Sequence, residues 1–252
     1  MTFRNPEESH AHSLETLNWL YEHDDFMSSI NTVIDIGCGS HGLDLEWWAT
    51  RTTRDEVPEP LNINCTGIDL VSGLSVGKKY PNITYQKNNF EEIVFAPKKK
   101  KYDVLWCHDT FQYAINPLAT LKLWHSVAAT NAMLVLILPQ TTNIEYRKLS
   151  FIQPSGCYYH YTLVNLIHML AVNGWDCNSG FFKKSAADHW LHAVVYKSDI
   201  EPMDPKMSWY NLAETGLLPE SAVASINRYG FINQNDLVLP WLDKSLTWYG
   251  QQ

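Results

Sequence analysis

Residues Thr32–Gly42, TVIDIGCGSHG, decide the fold. Val33 and Ile34 form the apolar run of a buried strand, Asp35 stands near its end, and Gly37 and Gly39 give a tight turn that a ligand can approach closely. LDLEWWA then opens a helix from about Leu43 to Arg51. A strand, a glycine turn and a helix in that order make a seat for a nucleotide-like ligand at the carboxyl edge of a sheet.

Asp35 narrows the choice of ligand. A carboxylate beside a pyrophosphate places like charges together, at greatest cost where water is partly excluded. S-adenosylmethionine carries no phosphate and offers an α-ammonium and a sulfonium, both cationic, which a carboxylate at the end of the first strand holds directly or through water. The residue order resembles motif I of the class I S-adenosylmethionine-dependent methyltransferases, D-x-G-x-G-x-G, with one departure. His41 occupies the third glycine position, and Gly42 follows it.

Outward from this motif the chain alternates strand and helix. Leu14, Leu17, Leu20 and Tyr21 recur at helical spacing in an N-terminal helix expected to pack over the cofactor side of the sheet. INCTGIDL, NITYQ and YDVLWC read as strands two to four, and the polar RTTRDEVPEPLN bridges into the second. Asn116 and Pro117 mark a helix start with Leu121, Trp124, Val127 and Ala128 on its apolar face, and MLVLIL is strand five. Thr162 opens a further helix that Gly174 stops, and WDCNSGFFKK with HWLHAVVYK forms an antiparallel hairpin. A terminal hairpin in place of another parallel strand is similar to the class I methyltransferase pattern, and the resemblance covers roughly residues 30 to 198. It implies an α/β, Rossmann-like, seven-stranded and mostly parallel sheet with helices on both faces.

The resemblance also assigns residues. Asp69, ending strand two, takes the place of the acid that accepts from both ribose hydroxyls, and the inserted RTTRDEVPEPLN accounts for its distance from the glycines. Cys38 in the turn and Leu70 beside Asp69 belong to the same cofactor set. Asn89 and Phe90 stand where the family holds the adenine amine and packs the ring; an asparagine turn is the competing reading of Asn89. In WCHDTFQYAINP, Gln112 and Tyr113 fill the positions of a frequent acid and histidine pair. His108 and Asp109 lie just earlier, at the sheet's ligand edge. Each either contacts the cofactor, acts on a substrate proton, or caps the turn.

Methyl transfer asks mainly that an acceptor be held in line with the methyl–sulfur bond, so the lack of a catalytic triad is no objection. The substrate wall is expected in Gln140–Tyr161, with Tyr146, Arg147, Phe151, Tyr158, Tyr159 and His160, and at Tyr113. Aromatic side chains with a few polar groups suit a planar or partly apolar small molecule, and also a flipped base. Packing of these rings against the core is the competing reading.

The formal net charge of −8 disfavours a broad grip on nucleic acid, and the Lys98–Lys101 run reads as a solvated loop. The five cysteines contain no C-x-x-C pair, which points to a reduced, cytoplasmic protein with neither a disulfide framework nor a metal site. The longest apolar run, Ala132–Leu138, is too short for a membrane span, and the N-terminus lacks a secretory h-region.

Three parts are expected: a helical lid over 1–30, a cofactor-binding domain over 31–198, and a helical extension over 199–252. In the extension, helices begin at Ser208 and Pro219 and close at Gly216 and Gly230. Its aromatic and leucine-rich surface must be covered, by packing back on the domain, by covering the active site, or by a homodimer contact. Three functions follow: a methyltransferase on a small-molecule acceptor, a nucleic-acid-modifying methyltransferase, or a non-catalytic S-adenosylmethionine-binding protein.

Overall fold

A computed structural model describes residues 6–22, 27–71, 73, 75–92, 101–139, 158–184 and 190–249. Its centre is a seven-stranded sheet of β1 (Thr32–Ile36), β2 (Asn64–Asp69), β3 (Ile83–Lys87), β4 (Tyr102–His108), β5 (Ala128–Pro139), β6 (Trp175–Lys184) and β7 (Trp190–Lys197). The order across the sheet is β3-β2-β1-β4-β5-β7-β6. The first five strands are parallel, and β7 inserts antiparallel between β5 and β6. Asp35 lies in register with Gly67 on one side and Trp106 on the other.

Side chains alternate across each strand and so divide the core into two layers. Ile34, Ile36, Leu105 and Cys107 face α3 (Pro117–Val127) and α4 (Leu163–Val172), with Leu121, Trp124, Leu166 and Leu170. Val33, Cys65, Val104 and Trp106 face the other layer, formed by Leu17 and Leu20 of α1 (Pro6–Glu22) and Leu45 and Trp48 of α2 (Leu43–Ala49). Asp35, Asp69 and His108 continue this second alternation, so all three stand on the α1/α2 side at the carboxyl ends of their strands.

The expected helix starts are present. Asn116 accepts from the Ala119 amide at 3.1 Å with Pro117 at the first helical position, and Thr162 accepts from the Asn165 amide at 3.2 Å. The helix expected to reach Arg51 ends at Ala49. There Thr50 donates its hydroxyl to the Glu46 carbonyl and Arg51 its Nε–H to the Trp47 carbonyl, which satisfies the last turn. Residues 51 to 61 then double back through an antiparallel bridge between Thr52 and Pro60.

Beyond β7 the chain forms α5 (Trp209–Ala213), α6 (Glu220–Ala224) and a hairpin of β8 (Val238–Pro240) and β9 (Leu246–Trp248). The expected second helix does not run to Gly230. Asn227 accepts from the Tyr229 and Phe231 amides and folds the chain into a turn, closed by an Ile226–Ile232 bridge. Leu212, Leu217, Leu218, Leu237, Leu239 and Tyr249 enter the α3/α4 layer, whereas Trp241 and Leu242 enter the α1/α2 layer. The segment therefore wraps the exposed edge of β6, and the Cys177 amide of that strand donates to the Leu217 carbonyl at 3.0 Å.

Candidate functional site

The glycine turn is held by backbone and by Asp69. Gly37 and Cys38 donate their amides to the Ile68 carbonyl at 2.8 and 3.2 Å, and Gly39 donates to Asp69 Oδ2 at 2.8 Å. Gly37 has φ +82°, and a Cβ there would lie 1.8 Å from Thr110 Oγ1, so only glycine fits. Gly39 has φ +65° and nothing within 4 Å of where a Cβ would stand, which leaves its face of the turn open to a ligand. Gly67, in β2, brings the helix down onto the sheet. A Cβ on it would meet Leu45 Cδ1 at 2.5 Å and Cys38 Sγ at 2.8 Å.

Asp35 is 3% exposed, and its carboxylate has no donor or cation among the described residues. Burial, then the carboxylates of Asp44 and Asp69, hold its pKa well above the usual carboxylate range. Burial, with Asp35 and Asp69 next, likewise pushes the Cys38 thiol up, so it stays protonated. Such a site is electrostatically incomplete: a buried acid flanked by acids is relieved by a cationic ligand. Asp69 uses Oδ2 for Gly39 and Oδ1 for the Val71 amide at 3.1 Å, and each oxygen retains a second lone pair. Leu70, beside it, is exposed.

Asn89 Oδ1 accepts from the Glu91 amide at 3.1 Å and keeps a second lone pair. Phe90 leans on Trp124, with ring centroids 6.3 Å apart. Asp109 has φ +52° and accepts from Gln112 Nε2 at 2.7 Å, which makes it a brace for the turn after β4. The Gln112 carbonyl in turn accepts from the Tyr158 and Tyr159 amides at 3.1 and 3.2 Å. These two exposed tyrosines, with exposed Ile115, therefore border the loop that leaves β4. Tyr113 is half-buried against the α1/α2 layer. Tyr146, Arg147 and Phe151 lie outside the described residues.

Asp44 belongs to no motif in the sequence, yet it lies at the centre of the site. This acid in the first turn of α2 is buried and has four polar neighbours. Oδ1 receives His10 Nδ1 at 2.5 Å and Ser13 Oγ at 2.7 Å, both from α1. Oδ2 receives Trp106 Nε1 at 2.8 Å and stands 3.4 Å from His108 Nδ1. Burial disfavours charge on Asp44, but the bonds from His10, His108 and Ser13 outweigh it and hold the carboxyl well below the usual range. The detectable signal was an acid among Leu43, Leu45, Trp47 and Trp48 on a helix that must bury nearly everything.

Parallel strands in this order with an antiparallel seventh, joined to a glycine turn between two acid-tipped strands, define a class I S-adenosylmethionine-dependent methyltransferase fold. Residues 25–214 match the family model described as a methyltransferase domain, and the chain belongs to that family. No curated protein sequence matches it. Among solved structures, it is similar to the 1,6-didemethyltoxoflavin N1-methyltransferase of Burkholderia thailandensis, with 13% identity, 78% of this chain and 82% of that chain covered, and a TM-score of 0.56. The plantazolicin methyltransferase BamL gives 18% identity, coverage of 78% and 87%, and a TM-score of 0.56. The N-methyltransferase NodS of Bradyrhizobium japonicum gives 12%, 78%, 90% and 0.53. All three were crystallised with S-adenosylhomocysteine.

Among the described residues, no helix is long and apolar enough to cross a membrane, and no cluster of histidine, cysteine and acidic side chains could hold a metal ion. Cys38, Cys65, Cys107 and Cys177 are free thiols.

Proposed function

We propose that the protein transfers a methyl group from S-adenosylmethionine to a small-molecule acceptor. The observation that carries this reading is Asp35, a buried carboxylate among carboxylates with no cation against it among the described residues. Bound there, S-adenosylmethionine supplies a methyl group already made electrophilic by its sulfonium. Asp35 holds the α-ammonium, directly or through water. The open face of Gly39 admits the backbone of the ligand, Cys38 and Leu70 line the same turn, and Asp69 takes the ribose hydroxyls on its remaining lone pairs. Asn89 and Phe90 border the adenine.

The acceptor side is bordered by Tyr113, Tyr158 and Tyr159, with exposed Ile115, a surface suited to a planar or partly apolar compound. The net charge of −8 disfavours nucleic acid, and two of the structural neighbours were crystallised with 1,6-didemethyltoxoflavin or a triazolic desmethylPZN analog. Calorimetry with S-adenosylmethionine, S-adenosylhomocysteine and nicotinamide dinucleotides tests the reading. Binding of the sulfur nucleosides alone supports it, and binding of a dinucleotide alone sinks it.

A further inference from the structure

We propose that Tyr85 is a positioning residue for the cofactor: its hydroxyl pins the turn after β2 and so fixes the Asp69 carboxylate in the orientation that meets the ribose hydroxyls. This inference rests on the methyltransferase reading above.

Tyr85 stands in the middle of β3, in register with Gly67, as Lys87 is with Asp69. It packs half-buried in the α1/α2 layer, the side of the sheet on which Asp69 lies. Its hydroxyl is 2.5 Å from the Val71 carbonyl and 3.2 Å from the Asp69 carbonyl. A phenol has one proton to give, so the short bond to Val71 is its main one. The Asp69 carbonyl also accepts from the Asn88 amide at 3.0 Å, which leaves Val71 as the group that depends on Tyr85. Burial, then the Cys38 thiol and the Asp69 carboxylate, pushes the Tyr85 phenol up to about 12, so the donor is kept through the neutral range.

Val71 is gripped on both of its peptide planes. Its amide donates to Asp69 Oδ1 at 3.1 Å, and its carbonyl receives the Tyr85 hydroxyl. Together the two bonds set the backbone angles of Val71 and hold its amide on the carboxylate. Gly39 holds the other oxygen, Oδ2, at 2.8 Å, so the plane of Asp69 is strung between the glycine turn and the turn that Tyr85 pins. Accepting from two adjacent hydroxyls tolerates little rotation of that plane. Leu70, between the two carbonyls, is 64% exposed, so its side chain does not anchor the turn in the core. Farther on, the Ser75 amide donates to the Ser40 carbonyl at 3.0 Å and the Ser75 hydroxyl to the His41 carbonyl at 3.3 Å. The segment after β2 and the glycine turn are thus laced together on either side of the Asp69 carboxylate.

A hydroxyl that only supported the fold would, when removed, weaken every nucleoside alike. One that orients Asp69 acts through the ribose hydroxyls, and its loss is felt only by ligands that carry them.

Calorimetry on the full chain and on Tyr85→Phe, with S-adenosylhomocysteine and its 2′-deoxy analogue, separates these cases. The unmodified protein is expected to bind S-adenosylhomocysteine roughly 10-fold more tightly than the analogue. Tyr85→Phe is expected to lose about 3- to 10-fold for S-adenosylhomocysteine and less than about twofold for the analogue. Equal losses for the two ligands, or no loss for either, overturn the proposal. If Tyr85→Phe does not fold, 3-fluorotyrosine placed at position 85 keeps the hydroxyl, and its ¹⁹F signal decides: a larger shift on saturation with S-adenosylhomocysteine than with the analogue is expected, and equal shifts overturn the proposal. Failure of the unmodified protein to bind S-adenosylhomocysteine removes the methyltransferase reading and this inference with it, whereas binding with equal losses in Tyr85→Phe removes only the role of Tyr85.

Discussion

Asp35→Asn should weaken the ligand and strengthen the empty protein. The carboxylate is buried and flanked by Asp44 and Asp69, so in the absence of ligand it is a charge without compensation. Replacing it by a neutral amide of the same shape should raise stability by about 1 kcal/mol, seen as roughly 2–4 °C in Tm for a chain of this size. Against the α-ammonium, the lost charge-assisted hydrogen bond is worth about 1.5–3 kcal/mol, which is about a 10- to 150-fold rise in Kd for S-adenosylhomocysteine. The pH dependence has a definite sign. Because the folded pKa lies above the unfolded one, the native state holds the extra proton between them, and stability falls as pH rises through that window. The advantage of Asp35→Asn should grow with pH there and then level off, while the affinity of the unmodified protein for the nucleoside rises over the same range. Differential scanning fluorimetry and calorimetry on both proteins read these quantities. Unchanged affinity together with lower stability would refute the reasoning, since it would make Asp35 a structural acid with a partner of its own.

Gly67→Ala should cost about 1–3 kcal/mol in urea unfolding, because its Cβ would press Leu45 Cδ1 at 2.5 Å and Cys38 Sγ at 2.8 Å; a neutral result would mean that α2 is not seated as described. The Cys38 thiol, held protonated by burial and by Asp35 and Asp69, should alkylate at pH 8 far more slowly than an unfolded cysteine, as followed by peptide mass spectrometry. Asp35→Asn should hasten it. Ending the chain at Pro205 should abolish cooperative thermal unfolding, because it removes Leu212, Leu217, Leu218, Leu237, Leu239 and Tyr249, each worth about 1.5–3 kcal/mol of burial. A soluble, cooperatively melting truncation would show that the extension only decorates the domain.

Local chemistry made much of this fold legible before any coordinates. Glycine turn, acid-tipped strands, the Asn116 and Thr162 caps and the terminal hairpin depend on residues close in sequence, and each is found where the chain pattern put it. Asp44 was not legible in the same way. Its partners His10, Ser13 and Trp106 are 34, 31 and 62 residues away, and the sheet order brings them together only once β4 lies beside β1. Asp109 allows three readings in the sequence, and in the structure its carboxylate accepts from Gln112 Nε2. In the extension, Gly216 and Gly230 both resemble helix stops. Asn227 makes the second of them part of a turn, and the strand-forming DLVLP and SLTW segments pair with each other.

The most direct measurement is a crystal structure of the full chain with S-adenosylhomocysteine. The expected result is the α-ammonium within about 3 Å of the Asp35 carboxylate or one water from it, with the ribose hydroxyls on Asp69. A nucleoside bound elsewhere, or an ammonium remote from Asp35 with that carboxylate still unpaired, would contradict the claim that this buried acid is what selects the ligand.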